Sequence, residues 1–271
     1  ESFKSQREEG FFTIPLEVKH KRSILESLDL FVEGETLDGD NKYYCEEANR
    51  KVDALKRLCV SRLPAVLILH LKRFEFDFDA MKKVKVNDSC EFPLTLDMDP
   101  YTLGGIERRE RAAAAAARRG QDPAKASAQV ESDPESLFEL AGVLVHTGTA
   151  DSGHYYSYIA DRSGGVGGWL SLNDACVERF DPGGIPQACY GGVDLVPSAD
   201  PTFPPDQVAR QHSAYMLFYE RVGARSARPP PPPGGGRVPR EVMEKVQAEN
   251  AAFLKDKRLF DPHYFSFLLR L

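Results

Sequence analysis

A histidine and a downstream Asn-Asp pair are the residues of this sequence that are best placed to do chemistry. His154 follows Gly153, and Asn173 and Asp174 end an apolar run that begins at Trp169. An imidazole held by a polar side chain can act as a general base, because its partner fixes which ring nitrogen carries the proton. The sequence therefore predicts two of the three groups of a nucleophile–base–orienter triad.

The spacing of these residues predicts that they meet across a β-hairpin. Its loop is the glycine-rich stretch 162–168, and regular pairing about residue 165 places His154 opposite Cys176. A bulge or an asymmetric loop moves that partner to Asn173 or Asp174. A histidine at the start of a strand can also be an ordinary surface or core residue, and the spacing alone leaves both interpretations open.

The composition is that of a folded chain. Its 271 residues are 42% hydrophobic and 10% aromatic, which excludes wholesale disorder. The formal net charge of −6 does not favour nucleic acid or an anionic membrane as partner, and no run approaches the roughly 18 apolar residues of a membrane span. Five cysteines are an odd and sparse set, typical of a reducing compartment. We therefore expect a cytoplasmic protein, with the nucleus as the alternative.

The elements that must position these residues are mainly short strands. The apolar residues 65–71 predict a strand covered on both faces, which continues as the alternating residues 74–79. Residues 23–30 have helical spacing. Further short apolar or aromatic segments separated by glycine-bearing turns predict an antiparallel sheet over residues 138–146, 155–160, 169–172 and 215–220.

Two stretches interrupt this pattern. Residues 104–136 contain six consecutive alanines flanked by arginines and few large apolar residues, which predicts a low-complexity surface insertion with a frayed helix over residues 107–119. A proline run followed by glycines predicts a linker over residues 223–239. Residues 240–271 return to helical spacing and predict the start of a further helical segment.

Several motifs, in order along the chain, resemble those of the ubiquitin-specific proteases. The resemblance covers most of residues 1–222 outside the insertion, and it is closest to the large fat-facets-type members. It implies an α+β fold, namely the palm-and-fingers part of a papain-like cysteine protease with an antiparallel sheet and without the N-terminal thumb. The motifs lie in residues 31–45, 51–57, 63–74, 153–158, 169–177, 214–219 and 253–261.

The same resemblance implies roles for the matching residues. His154 corresponds to the general base, Asn173 to the third member of the triad, and Asp174 to an acid that helps to orient the site. Gly153 and Tyr155 fall where the family's narrow channel grips the ubiquitin tail, beside a loop at residues 146–152. The implied activity is thiol-dependent hydrolysis of the isopeptide bond at the C-terminal glycine of ubiquitin. Ubiquitin and ubiquitinated proteins are the implied partners, and no cofactor is implied.

Two features of the family are not matched. The family's nucleophile lies in an Asn-Thr-Cys-Tyr box at the start of a helix, which this sequence lacks from Glu1 onward. Its own cysteines show no helix start that would activate a thiol. The family's zinc-binding Cys-x-x-Cys pairs are reduced to Cys45, since Ala48 stands where the second thiolate would be, so we expect no metal. We therefore expect a fragment that is inactive by itself.

Two other classes of function remain open. A pseudoenzyme would bind ubiquitin without cleaving it, and a scaffold built on the linker and tail would not use the pocket around His154. Replacing His154 with Ala separates these interpretations. The substitution abolishes turnover by an enzyme that has its nucleophile, whereas it leaves a scaffold's partner binding unchanged.

Overall fold

The computed structural model describes residues 4–161, 168–196, 205–223 and 239–259. The chain divides into two compact units, Glu1–Arg225 and Ser226–Leu271. Most of the predicted hairpin loop, most of the predicted linker and the tail after residue 259 lie outside the described residues.

The described residues form both helices and strands, as the predicted α+β class requires. The strands are β1 (Ile14–Glu17), β2 (Glu35–Leu37), β3 (Tyr43–Cys45), β4 (Arg50–Val52), β5 (Ala54–Lys56), β6 (Val66–Lys72), β7 (Phe74–Asp77), β8 (Lys82–Lys85), β9 (Thr95–Asp97), β10 (Leu137–Gly148), β11 (Gly153–Ala160), β12 (Trp169–Asn173), β13 (Cys176–Phe180), β14 (Val193–Val196), β15 (Asp206–Ala209) and β16 (His212–Arg221). The helices are α1 (Ile24–Val32), α2 (Leu103–Arg118), α3 (Pro123–Ala128), α4 (Ile185–Cys189) and, in the second unit, α5 (Arg240–Leu259).

One large sheet forms the centre of the first unit. Its order is β1–β6–β16–β10–β11–β12–β13, and β9 pairs with the start of β10. The pairs among the four segments of the predicted sheet are antiparallel, which confirms the prediction, and the other pairs of this sheet are antiparallel as well, except that β1 runs parallel to β6. A parallel pair needs a long crossover connection, and the chain between β1 and β6, which includes α1 and β2 to β5, supplies one.

The predicted strand over residues 65–71 forms β6 and lies in the core. Leu67, Leu69 and Leu71 are fully buried on one face of the sheet. The predicted continuation of this strand is wrong, because the chain leaves the sheet at Arg73 and β7 pairs with β8 instead. The residues before the break are apolar at nearly every position and those after it alternate, but both patterns are typical of a strand, so periodicity alone could not locate the break.

Arg73 makes the break by bonding to segments that are remote in sequence. It is 1% exposed, and its guanidinium donates hydrogen bonds to the backbone carbonyls of Ala214 at 3.1 Å, Val86 at 3.1 Å, Asp88 at 2.6 Å and Tyr190 at 3.1 Å. Burial lowers the pKa of the guanidinium from its ordinary value. The acceptors offset this cost because a planar guanidinium can donate five hydrogen bonds.

The residues predicted to be a low-complexity insertion form ordered helices. The N-cap of α2 is Thr102, whose hydroxyl accepts a hydrogen bond from the Gly105 N–H at 3.0 Å. The buried carboxylate of Asp99 then accepts hydrogen bonds from Arg108 and Arg109 and fixes the first turns of α2. The helix predicted over residues 107–119 is confirmed as α2, and it begins earlier, at Leu103, because the anchoring carboxylate lies upstream of the alanine-rich stretch.

The fingers consist of short strand pairs, β2 with β5 and β3 with β4. Cys45 is buried at the end of β3, and the turn to β4 places Asn49 at a φ of 49°. In the part of the chain that the structure describes, no group of three or more His, Cys, Asp or Glu side chains is arranged to hold a metal ion.

The second unit contains the helix expected from the spacing after residue 240. Arg240 forms an i,i+4 ion pair with Glu244 at 2.7 Å in the first turns of α5. None of the helices within the described residues is long and apolar enough to cross a membrane.

Candidate active site

His154 lies at the start of β11, directly after the loop of residues 149–152 that joins it to β10. On the β10 side, Thr147 pairs with His154 and Gly148 pairs with Gly153. The position of the imidazole therefore depends on the last residues of β10.

The structure brings His154 and Asn173 together. His154 Nε2 and Asn173 Oδ1 are 2.7 Å apart. The route differs from the predicted one, because the β11–β12 register runs without a shift from Ala160 to Ser157, which pairs with Leu172. If the same register continued by one pair, Asn173 would lie opposite Tyr156, two residues from His154. The imidazole of His154 therefore reaches the amide of Asn173 diagonally across the two strands. No bulge is needed.

This hydrogen bond fixes the tautomer of the imidazole. An amide oxygen only accepts hydrogen bonds, so the proton of His154 lies on Nε2 and Nδ1 keeps its lone pair. Asp174, in the turn after β12, has its Oδ2 at 3.7 Å from the same Nε2 and can stabilise the ring once it is protonated. The φ of Asp174 is 51°, a conformation that aspartate tolerates better than most residues.

A cavity of about 540 Å³ lies against both sequence neighbours of His154. Its walls come from β7, β8, β10, the loop after β10 and the start of β11. The lining residues are Phe74, Glu75, Phe76, Lys83, His146, Thr149, Ala150, Asp151, Ser152, Gly153 and Tyr155. Gly153 and Tyr155, predicted to bind the ubiquitin tail, are both among them.

Gly153 has a steric reason to be glycine. A Cβ atom at this position would overlap His146 Nε2 and the carbonyl oxygen of Thr147. The ring of His146 is 5% exposed and contacts Tyr155 and Phe74, with ring centroids 4.8 and 5.1 Å apart. Burial lowers the pKa of His146, so this wall of the cavity is neutral near pH 7. The cavity thus combines aromatic rings with an open glycine backbone.

The sequence did not reveal the wall formed by β7 and β8. The alternation over residues 74–79 predicts that Phe74 and Phe76 lie on one face of a strand of the central sheet. Nothing in the sequence around Lys83 indicates that it lines a cavity. Their place in the cavity follows from the departure of the chain at Arg73, which depends on long-range hydrogen bonds. The alternation of phenylalanines was the one available indication of an aromatic face.

Three of the cysteines, Cys90, Cys176 and Cys189, have thiols that are not activated as nucleophiles. Burial raises the pKa of Cys90 to about 11 and that of Cys189 to about 12. Cys176 is exposed and pairs in register with Asn173, but its hydrogen bond to Glu178 at 3.5 Å raises its pKa. A thiol with a raised pKa is a poor nucleophile at neutral pH, because the thiolate is the reactive form.

The remaining two cysteines are Cys45 and Cys59. Cys45 is buried in the fingers, and Cys59 precedes Val60, which bonds to Tyr101 near the start of β10. His154 pairs with Thr147 at the other end of β10. Because a strand rises about 3.3 Å per residue, the two ends of β10 are roughly 30 Å apart.

The sequence matches a known family and several curated relatives. Residues 12–219 match the family model of the ubiquitin carboxyl-terminal hydrolases. Ubiquitin carboxyl-terminal hydrolase 24 of Homo sapiens is 40% identical over 80% of this chain, and hydrolase 34 of Homo sapiens is 37% identical over 98%. The probable ubiquitin carboxyl-terminal hydrolase FAF of Drosophila melanogaster is 31% identical over 98%. The chain spans 8 to 10% of the length of these relatives.

Solved structures with the same fold include the SAGA Ubp8/Sgf11/Sus1/Sgf73 DUB module bound to ubiquitin aldehyde. That similarity has a TM-score of 0.51 and 27% identity, and it covers 78% of this chain and 36% of the other. The same module bound to monoubiquitin, with one substitution in Ubp8, gives a TM-score of 0.52 at 27% identity, over 78% of this chain and 35% of the other. These matches agree with the motifs of the sequence. The chain belongs to the ubiquitin carboxyl-terminal hydrolase family, among its fat-facets-like ubiquitin-specific proteases.

Proposed function

We propose that this chain supplies the general base, its orienting amide and the substrate channel of a thiol-dependent deubiquitinase. The observation that carries the proposal is the 2.7 Å contact between His154 Nε2 and Asn173 Oδ1. It leaves Nδ1 as a free base beside a cavity with an exposed glycine backbone. Membership of the ubiquitin carboxyl-terminal hydrolase family supports the same reaction.

The proposed reaction uses a cysteine from outside this chain as nucleophile, because the thiols of Cys176 and Cys189 have raised pKa values. Nδ1 of His154 takes the proton of that thiol, and the sulfur attacks the carbonyl carbon of the C-terminal glycine of ubiquitin. The imidazolium then protonates the leaving lysine amine, which leaves a thioester. Neutral Nδ1 next takes a proton from water, the water oxygen attacks the thioester carbonyl, the carbon–sulfur bond breaks, and the imidazolium returns the proton to the sulfur. Asn173 holds the ring in one tautomer throughout.

Ubiquitin and ubiquitinated proteins are the proposed partners. The cavity accepts an extended chain with small side chains, since Gly153 forms part of its wall and Tyr155 borders it. Binding of ubiquitin aldehyde and of monoubiquitin by the SAGA DUB module supports this choice. We further propose that Gly153 and Tyr155 contact the tail of ubiquitin next to the scissile bond.

A ubiquitin-binding pseudoenzyme is the second candidate function. The raised pKa values of Cys90, Cys176 and Cys189 favour it, because they leave this chain without an activated thiol of its own among them. The two candidates differ in one result. The enzyme hydrolyses ubiquitin conjugates once its nucleophile is present, whereas the pseudoenzyme binds ubiquitin with no turnover in any form of the protein.

Removing the orienting amide tests the proposed triad. We expect Asn173→Ala to lower kcat for a ubiquitin C-terminal amide by roughly 10- to 100-fold in the nucleophile-containing protein, since a hydrogen bond to a charged ring is worth about 1.5 to 3 kcal/mol. Asn173→Asp keeps an acceptor at the same place and should retain most of the activity. Equal losses in both variants would contradict the orienting role.

A further inference from the structure

Lys85, the last residue of β8, places its ammonium against three backbone carbonyls. Nζ donates hydrogen bonds to the carbonyl oxygens of Gln211 at 2.6 Å, His146 at 3.0 Å and Gly148 at 3.2 Å. An ammonium has three N–H donors, so these carbonyls use all of them. Because His146 and Gly148 lie at the end of β10 and Gln211 precedes β16, the ammonium joins two neighbouring strands at one end of the sheet.

The charge on Lys85 is held by carbonyl oxygens, and no carboxylate of the described residues is among the groups that act on it. Burial, together with the nearby Arg73, lowers the pKa of Lys85 to about 8. From β10, His146 lies close enough for the ammonium to lower its pKa further. From β16, the nearest titratable side chain in sequence is His212, whose Nε2 lies 3.2 Å from the carbonyl oxygen of Gln187.

In the β10–β11 register, these contacts lie one residue pair away from His154. Gly148 pairs with Gly153, and the Gly148 N–H donates to the Gln211 carbonyl at 2.9 Å. Lys85 therefore donates to both residues of the Gly148–Gln211 hydrogen bond, which links the end of β10 to the residue before β16. Since His154 follows Gly153 at the start of β11, any displacement of Gly148 moves the backbone that carries the imidazole.

We propose that Lys85 is a positioning residue for His154. Its ammonium fixes the end of β10 against which the first two residues of β11 are registered, and it thereby keeps the imidazole within hydrogen-bond reach of Asn173. The consequence for turnover rests on the proposed function, whereas the alignment of the ring can be measured without catalysis.

Histidine NMR of the 271-residue chain tests this role directly. In the unsubstituted chain, we expect the ring nitrogen chemical shifts of His154 to show the proton on Nε2. In Lys85→Met, we expect the same shifts to show a mixture of the two tautomers. Lys82→Met is the matched control, because Lys82 is an exposed lysine of the same strand, and it should leave the spectrum unchanged.

A pH titration keeps the test valid if the Met variant folds poorly. Above pH 8 the neutral amine of Lys85 has one N–H fewer and releases one of the three carbonyls, so the His154 signals should inflect near pH 8. Because the folded pKa lies below its usual value, this titration adds stability as pH rises from about 8 toward 10.4. The titration of Lys85 therefore does not itself unfold the chain, and a folded Lys85→Met chain should lack the inflection.

In the nucleophile-containing protein, Lys85→Met should lower kcat at least about tenfold while KM changes less than about threefold, because a small misplacement of a base mainly affects the chemical step. An unchanged His154 spectrum in Lys85→Met would overturn the positioning role, and so would His154 signals that show no inflection in the unsubstituted chain at the pH where the Lys85 ammonium is seen to lose its proton. If the unsubstituted protein does not hydrolyse ubiquitin, the proposed function fails, and the spectra still decide the role of Lys85.

Discussion

Replacing His154 with Ala should lower ubiquitin hydrolysis by the nucleophile-containing protein by roughly 1,000-fold, within the range of about 10² to 10⁴ for loss of a general base. The reason is that Nδ1 of His154, left unprotonated by the Nε2 contact with Asn173, is the group that takes the thiol proton. The measurement is kcat/KM with ubiquitin that carries a C-terminal fluorogenic amide.

A second histidine provides the matched control. The side chain of His20 is 83% exposed, and its φ of 60° is one that Asn adopts readily, so His20→Asn should leave kcat/KM within about twofold. If His154→Ala kept more than a tenth of the activity, His154 would not be the base. If the variant lost turnover but kept full affinity for ubiquitin, the channel and the base would be separable functions of the same site.

Replacing Arg73 with Met should destabilise the first unit by roughly 3 to 5 kcal/mol, because each buried carbonyl left without a donor costs about 1 to 3 kcal/mol. Four such carbonyls accept hydrogen bonds from this guanidinium. Methionine fills part of the volume of the arginine side chain, and the substitution also removes a buried charge. Both effects keep the loss of stability below the sum expected for four unpaired carbonyls. Urea unfolding measures the change as a shift of the midpoint at constant slope.

An exposed arginine serves as the control for charge and size. The side chain of Arg62 is 85% exposed and forms a surface ion pair with Glu8, so Arg62→Met should change the unfolding free energy by less than about 0.5 kcal/mol. A loss of under about 1 kcal/mol in Arg73→Met would show that the carbonyls find other donors. The departure of β7 from the sheet would then need another cause.

The sequence predicted the local elements better than the places where the chain changes direction. The alternating leucines of β6 and the spacing of α1 are local signals, and both elements formed where they were expected. The departure at Arg73 depends on hydrogen bonds to remote segments, and the docking of α2 depends on the ion pairs of its arginines with Asp99, which lies just before the helix. No periodic pattern carries that information.

The candidate site shows the same division. The residue types and spacing predicted that His154 meets Asn173 or Asp174, and the structure places Asn173 Oδ1 2.7 Å from the ring nitrogen. The diagonal geometry follows from the register of β11 and β12, which the sequence could not specify because the loop length alone allows several registers. Lys85 gave no signal at all, since a lysine that ends a strand is usually a solvated side chain.

The most direct test of the proposed division of labour is to measure hydrolysis of a ubiquitin C-terminal amide by this 271-residue chain and by the longer protein that contains it. We expect no turnover by the chain alone. The longer protein should show turnover that a thiol-alkylating reagent abolishes and that requires His154. Turnover by the isolated chain, or turnover that survives alkylation of every thiol, would contradict the assignment of the base and its orienter to this chain and of the nucleophile to a cysteine outside it.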